Sequence, residues 1–289
     1  MSASLSSSIS SAGRVLRSIA YFKRLSYQTR ARLSADIAFV GLALRTGCLI
    51  DTFIPEKPRE CFHALLSALR GDPSTRSMAS NISHLYEPAS EQSFLVNISL
   101  LRRRIEKLLA PEVEKTPVLV LVKLFPGSQC ELQQHFPPGL TDLLCVLLQM
   151  IETESNRTDP ILLPDDVWMD DAVPLTALIL DYLVAYIPTS DPGKIAPIFL
   201  CGVPVRTYEC VVTFGAHPIP SGSSAKRERT SVMKFSCPQS LEEEEAMISP
   251  QVVVDGLSSL FEGRLTQIGD ESAKFEIVCG GVTFDRLAL

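Results

Sequence analysis

Two carboxylates stand where this sequence could do chemistry. Asp51 follows the apolar run Cys48-Leu49-Ile50, and Asp181 interrupts an apolar stretch from Leu175 to Ile187. An acid at the end of a buried strand can serve as a general base or hold a metal ion in an α/β enzyme. The same position commonly serves as a helix cap or a turn residue. Geometry separates the two readings. Carboxylates within ~6 Å of each other in one cleft would perturb each other's protonation, whereas carboxylates far apart, each on backbone N–H groups, would not.

Other reactive types are scattered. His63, His84, His135 and His217 share no helical turn and have no ligand-spaced neighbours, so no metal site is expected. The eight cysteines include no pair two residues apart, which excludes a zinc knuckle or a thioredoxin-type motif and implies buried thiols in a reducing compartment. Cys201 beside Gly202 has only Arg206 near in sequence, too little to activate a thiol. No Gly-x-Ser-x-Gly elbow or phosphate-binding loop is written, and no cofactor is expected. Asp165-Asp166 and Asp170-Asp171 flank Trp168, a pattern of an acidic surface loop with a divalent cation as the alternative.

Positioning such residues requires a core, and 46% hydrophobic against 21% charged residues supplies one. A net charge of −6 makes nucleic acid a poor partner. The first 35 residues nevertheless carry six basic residues and no acid. Residues 1–29 read as a disordered or basic segment, ahead of a single globular domain over 30–289. The short amphipathic pattern of Val15, Leu16, Ile19 and Phe22 fits a mitochondrial transit peptide or, alternatively, a first core helix with a basic outer face. The expected location is cytoplasmic, with mitochondrial as the alternative. No membrane span is expected: Leu143–Ile151 is too short, and Pro174 and Asp181 interrupt Val173–Ile187.

Apolar periodicity predicts helices over 31–45, 58–70, 141–150 and from Pro250 to Glu262, and one carrying Phe94, Ile98, Leu101, Ile105 and Leu108. Arg102, Arg103, Arg104 and Lys107 occupy the rest of that last helix and read as a solvated face. Ser240 is the expected cap of a short helix that opens with Glu242–Glu245. Val118–Val122 reads as a central strand covered on both faces. Val205–Phe214 and Val232–Cys237 alternate with period two and are expected to pair antiparallel. Residues 72–90 and 215–230 read as loops, and Gly280-Gly281 as a tight hairpin. The fold class is therefore α+β (or α/β): a single mixed sheet with packed helices, and antiparallel strands in the C-terminal half.

Five segments in order, LSADIAFVGLALRTGCLIDTF (33–53), LILDYLVAYIP (178–188), FLCGVPVRTYECVV (199–212), MKFSCPQSL (233–241) and DRLAL (285–289), resemble an uncharacterised eukaryotic family of unknown function. That family is typified by the product of an open reading frame on human chromosome 1. The resemblance implies one domain from about residue 30 and brings no reaction, cofactor or catalytic residue. The functional expectation is a non-catalytic soluble interaction protein with a protein partner, using the basic helix at Arg102–Lys107 or the loop at 215–230. The alternative is a hydrolase or metal-dependent enzyme using Asp51 and Asp181.

Overall fold

The computed structural model describes residues 4–110, 118–125, 129–154, 159–188, 200, 202–215 and 227–283. The chain begins with α1 (Leu5–Ser18), α2 (Ala20–Lys23), α3 (Tyr27–Gly41), β1 (Gly47–Leu49), α4 (Pro58–Gly71) and α5 (Arg76–Ala79). The middle holds β2 (Ile82–Glu87), β3 (Gln92–Asn97), α6 (Ile98–Leu109), β4 (Val120–Phe125), β5 (Gln129–Gln133), α7 (Pro138–Glu154), β6 (Ile161–Leu162), α8 (Met169–Ile179) and β7 (Val184–Pro188). Then follow β8 (Pro204–Gly215), β9 (Arg227–Pro238), α9 (Gln239–Glu244), α10 (Pro250–Ile268) and β10 (Lys274–Thr283).

The class is α+β, but the strands form three sheets among the described residues rather than one: β1-β3-β2-β6, β5-β4-β7 and β10-β8-β9. The reason lies in which side chains need cover. Val120, Val122 and Leu124 of β4 enter one core with Val184 and Tyr186 of β7. The alternate residues Leu121, Ala185 and Ile187 enter a second. Strands apolar on both faces must be covered on both. The β2–β3 pair repeats the arrangement: Leu85, Phe94 and Val96 join the second core, while Ile82 and Leu95 join a third with α1, α3 and α4. One sheet has two faces and cannot serve three cores. The β8–β9 pairing is antiparallel as expected, with Tyr208 opposite Phe235, and its Tyr208, Cys210, Val212 and Phe214 point into the first core.

Several local expectations are corrected. The start of the chain is not a disordered tail from Leu5 onward: α1 buries Leu5, Ala12, Val15 and Leu16, and the Leu5 N–H donates to Asp270 Oδ2 at 2.8 Å. Its serines misled, since Ser8 and Ser11 are small enough to be buried against neighbouring helices. The 72–90 segment is not all loop: β2 lies within it, and its polar His84 is buried on Phe62 with Nε2 3.1 Å from Ser93 Oγ. Phe94 belongs to β3, and the helix starts at Ile98 because Asn97 Oδ1 accepts the Leu100 N–H and caps it. Gly280 and Gly281 pair with Thr207 and Arg206 within β10 rather than turning. The α9 helix is preceded by Pro238, not capped by Ser240. No helix among the described residues is long and apolar enough to cross a membrane.

The packing of α1 makes a direct prediction. Leu16→Ala should destabilise the protein by about 2–5 kcal/mol, the usual cost of truncating a buried leucine. Arg17→Ala, on the exposed face of the same helix, should change stability by less than about 0.5 kcal/mol. Urea denaturation of both variants checks this, and equal small effects would mean that the helix is not part of the core.

Candidate functional site

The site is built from two helix endings. Helix α8 stops through a left-handed residue, Asp181, at φ +63°. The Tyr182 N–H donates to the Ala177 carbonyl at 2.9 Å and the Asp181 N–H to the Leu178 carbonyl at 3.4 Å, the bond pair of a Schellman turn. Glycine usually takes this position; aspartate tolerates it better than most residues. Helix α3 ends in the same way through Ala43 at φ +60°, with Leu44 N–H on the Phe39 carbonyl and Ala43 N–H on the Val40 carbonyl. That turn delivers Leu44-Arg45-Thr46 to Asp181. Gly47 then lets β1 pass close to α8, since a Cβ there would lie 2.6 Å from Ile179 Cγ2.

A carboxylate just past a helix C-terminus faces the negative end of the helix dipole and needs cationic company. It has two arginines. Arg264 of α10 grips it bidentately, Nη1 to Oδ2 at 2.8 Å and Nη2 to Oδ1 at 3.0 Å. Arg104 of α6 places Nη1 3.2 Å from Oδ1. The Thr46 N–H and hydroxyl each donate to Asp181 at 2.7 Å. Arg264 also donates to the Leu44 carbonyl at 3.0 Å, and Arg104 Nε to the Leu178 carbonyl at 3.1 Å. The carboxylate is 0% exposed, Arg264 7% and Arg104 12%. Burial alone would raise the pKa of Asp181; Arg264, Arg104 and the hydrogen bonds from Arg264 and Thr46 overcome it and hold the carboxyl well below the usual carboxylate range.

This cluster forms the base of a cleft of about 510 Å³ between α6 and α10. Leu100, Val118, Leu183, Leu257 and Leu260 give it apolar walls, and Arg103 stands at its exposed edge. Among the described residues the cleft is lined by Arg103, Arg104, Arg264 and Lys107 and by one carboxylate, Asp181, in a chain whose net charge is −6. Such concave, mainly apolar clefts with a few convergent polar groups are the usual form of binding sites.

Of the two sequence-predicted carboxylates, Asp181 lines the cleft and Asp51 does not. Asp51 is 52% exposed and lies 3.6 Å from Arg32 Nη2; it shares no ion-pair partner with Asp181. Of the basic cluster, Arg102 is exposed and paired with Glu106 and Glu152, as a solvated face requires, but Arg104 is turned inward and only 12% exposed. Thr46 and Arg264 were missed. A signal for Arg264 existed: it lies on the buried stripe of Val253, Leu257, Phe261 and Leu265, where a cation needs a buried partner.

The acidic run after Ser240 also holds more than dipole complement: Glu242 is buried, accepts from the Tyr208 hydroxyl, and pairs with Arg206 Nε at 2.8 Å. Among the described residues no group of three or more His, Cys, Asp or Glu is placed to hold a metal ion. Cys48, Cys61, Cys210 and Cys237 are buried free thiols, whereas Cys145 and Cys279 are exposed. Burial pushes the Cys48 and Cys61 thiols up to about 12, so they stay protonated. Cys201 and most of the 215–230 loop lie outside the described residues. Comparison with family models, curated proteins and solved structures gave no match.

Asp181→Asn should cost about 3–5 kcal/mol, because it leaves two buried arginines without their anion while preserving the left-handed backbone. Asp51→Asn should cost less than about 0.5 kcal/mol, as for an exposed pair. The pH dependence has a definite sign. The folded pKa of Asp181 lies below the ordinary 3.8, so its contribution is complete above that pH and is lost as pH falls below it. The stability gap between wild type and Asp181→Asn in urea should be constant from about pH 5 to 8 and shrink below about pH 4.

Proposed function

We propose that the chain is a non-catalytic binding protein, and that the cleft between α6 and α10 receives an acidic segment of a partner protein. The observation that carries this is the state of Asp181. Both of its oxygens are taken by Arg264 and Thr46, so the one carboxylate that lines the cleft among the described residues has no free lone pair directed at a substrate. A general base needs to reach the proton it removes. What the cleft does offer is positive charge beside apolar surface, and such complementarity steers and selects a partner.

The paired-carboxylate enzyme draws no support from this geometry, since Asp51 stands outside the cleft. The resemblance to a family of unknown function adds no activity to either reading. Arg103 is exposed and donates its Nε to the Ser99 carbonyl of its own helix, so its charge can be reversed without disturbing the core.

Fluorescence anisotropy with a labelled peptide of alternating glutamate and leucine should show saturable binding that weakens as salt rises. Arg103→Glu should weaken it about tenfold while leaving the melting temperature unchanged, as expected of an exposed charge at a binding edge. Equal binding by wild type and variant would remove the cleft from consideration as the docking site.

A further inference from the structure

Resting on the reading of the cleft as a binding site, we infer that its base is a receptor for one carboxylate of the partner, flanked by apolar residues, and that Arg104 is its principal contact. The argument is a count of charge. Among the described residues Arg104 and Arg264 share a single carboxylate, Asp181, which attracts Arg104 while Arg264 repels it. The bidentate grip of Arg264 already matches Asp181 one to one. Arg104 is the surplus cation, 12% exposed at the base of an apolar cleft.

Its carbonyl partners, Leu178 at 3.1 Å and Val118 at 3.4 Å, orient the guanidinium without cancelling its charge. The C-terminal end of α8 supplies roughly half a unit of negative charge, which is less than the surplus. An anion in the cleft completes the balance. The apolar walls set its character. At the base, beside Leu183, Leu257 and Leu260, a second buried charge would be desolvated, whereas Arg103 and Lys107 line the cleft nearer its exposed edge. A single carboxylate beside leucine-like side chains meets both surfaces. Gly263 faces the cleft with open space where a Cβ would stand, so a peptide backbone can come close to α10.

The test uses the full chain and two acetylated, amidated peptides, Leu-Leu-Glu-Leu-Leu and Leu-Leu-Gln-Leu-Leu, with octanoate and octanol as small counterparts. Binding is read by calorimetry and by the Nε–Hε NMR signals of Arg104 and Arg264. The Glu peptide should bind about tenfold or more tightly than the Gln peptide, as a charge-assisted contact predicts, and should move the Arg104 signal.

Arg104→Met is the decisive variant. It leaves Asp181 and Arg264 balanced, so it should stay folded with a melting temperature close to wild type, and it should lose the preference for Glu over Gln. Arg264→Met should unfold far more readily. An Arg104→Met protein that melts as early as Arg264→Met would show that Arg104 is a structural partner of Asp181 and overturn the inference, as would a retained preference for Glu. Binding of octanoate without the Glu peptide would overturn the assignment to a protein segment. If the alternating acidic peptide binds through Arg103 yet neither guanidinium signal moves, the carboxylate receptor fails while the docking site stands. If neither peptide binds at all, both fail.

Discussion

A buried carboxylate in a left-handed helix ending is the constraint around which the molecule is arranged. Asp181 ends α8 with an anion at the end of the helix that repels anions. Burying it without partners would be prohibitive. The fold meets this by bringing Arg104 from α6, Arg264 from α10 and Thr46 from the turn after α3 to one point. These residues come from 83 positions later for Arg264 and 135 earlier for Thr46. The cluster therefore fixes the ends of separate elements against one another in a way that apolar contacts, which have no direction, do not.

The three-core arrangement gives such a fastening its role. Val120, Val122 and Leu124 look one way from β4 and Leu121 the other, so the central sheet is a partition between apolar volumes rather than the floor of one. Two cores on opposite faces of one sheet are already held by packing, and a polar contact adds a directional register to it. Asp181 ends α8, which packs Leu175, Leu178 and Ile179 into the second core. Arg264 lies on α10, which packs Val253, Leu257, Phe261 and Leu265 into the first. The pair they form sits where α8 turns into β7, which like β4 faces both cores.

The sequence was legible where periodicity is decided by one face. β8 and β9 alternate along much of their length, interrupted by a bulge at Cys210–Val211, and α4 and α10 show their buried stripes because neighbouring turns repeat them. It misled where a polar residue is buried or an apolar one stands beyond an element's end. His84 and Ser83 disguised β2, although both are buried. Phe94 matched the helical spacing of Ile98 and Leu101 by coincidence, because nothing in spacing marks Asn97 as the cap. For the site, Asp181 could be picked out as an acid within an apolar stretch. Its chemistry could not, since that depends on Thr46 and Arg264, and pattern within a window carries no information about contacts so distant in sequence. Arg104 was hidden by its neighbours: among three consecutive arginines, helical geometry sends Arg102 and Arg103 to solvent and Arg104 inward.

The inward arginine is also what separates fold from function at this site. A fastening needs one cation per carboxylate, and the bidentate Arg264 supplies it together with the hydrogen bonds of Thr46. A second buried arginine adds desolvation cost that the first pair does not require. Had packing alone shaped this position, a long apolar residue on α6 would cover the same wall as Leu100 with no charge to compensate. The charge is instead kept at the base of an open cleft, where solvent or an incoming anion can reach it. The arrangement is thus in surplus on the side where it meets the outside, and balanced on the side where it meets the core.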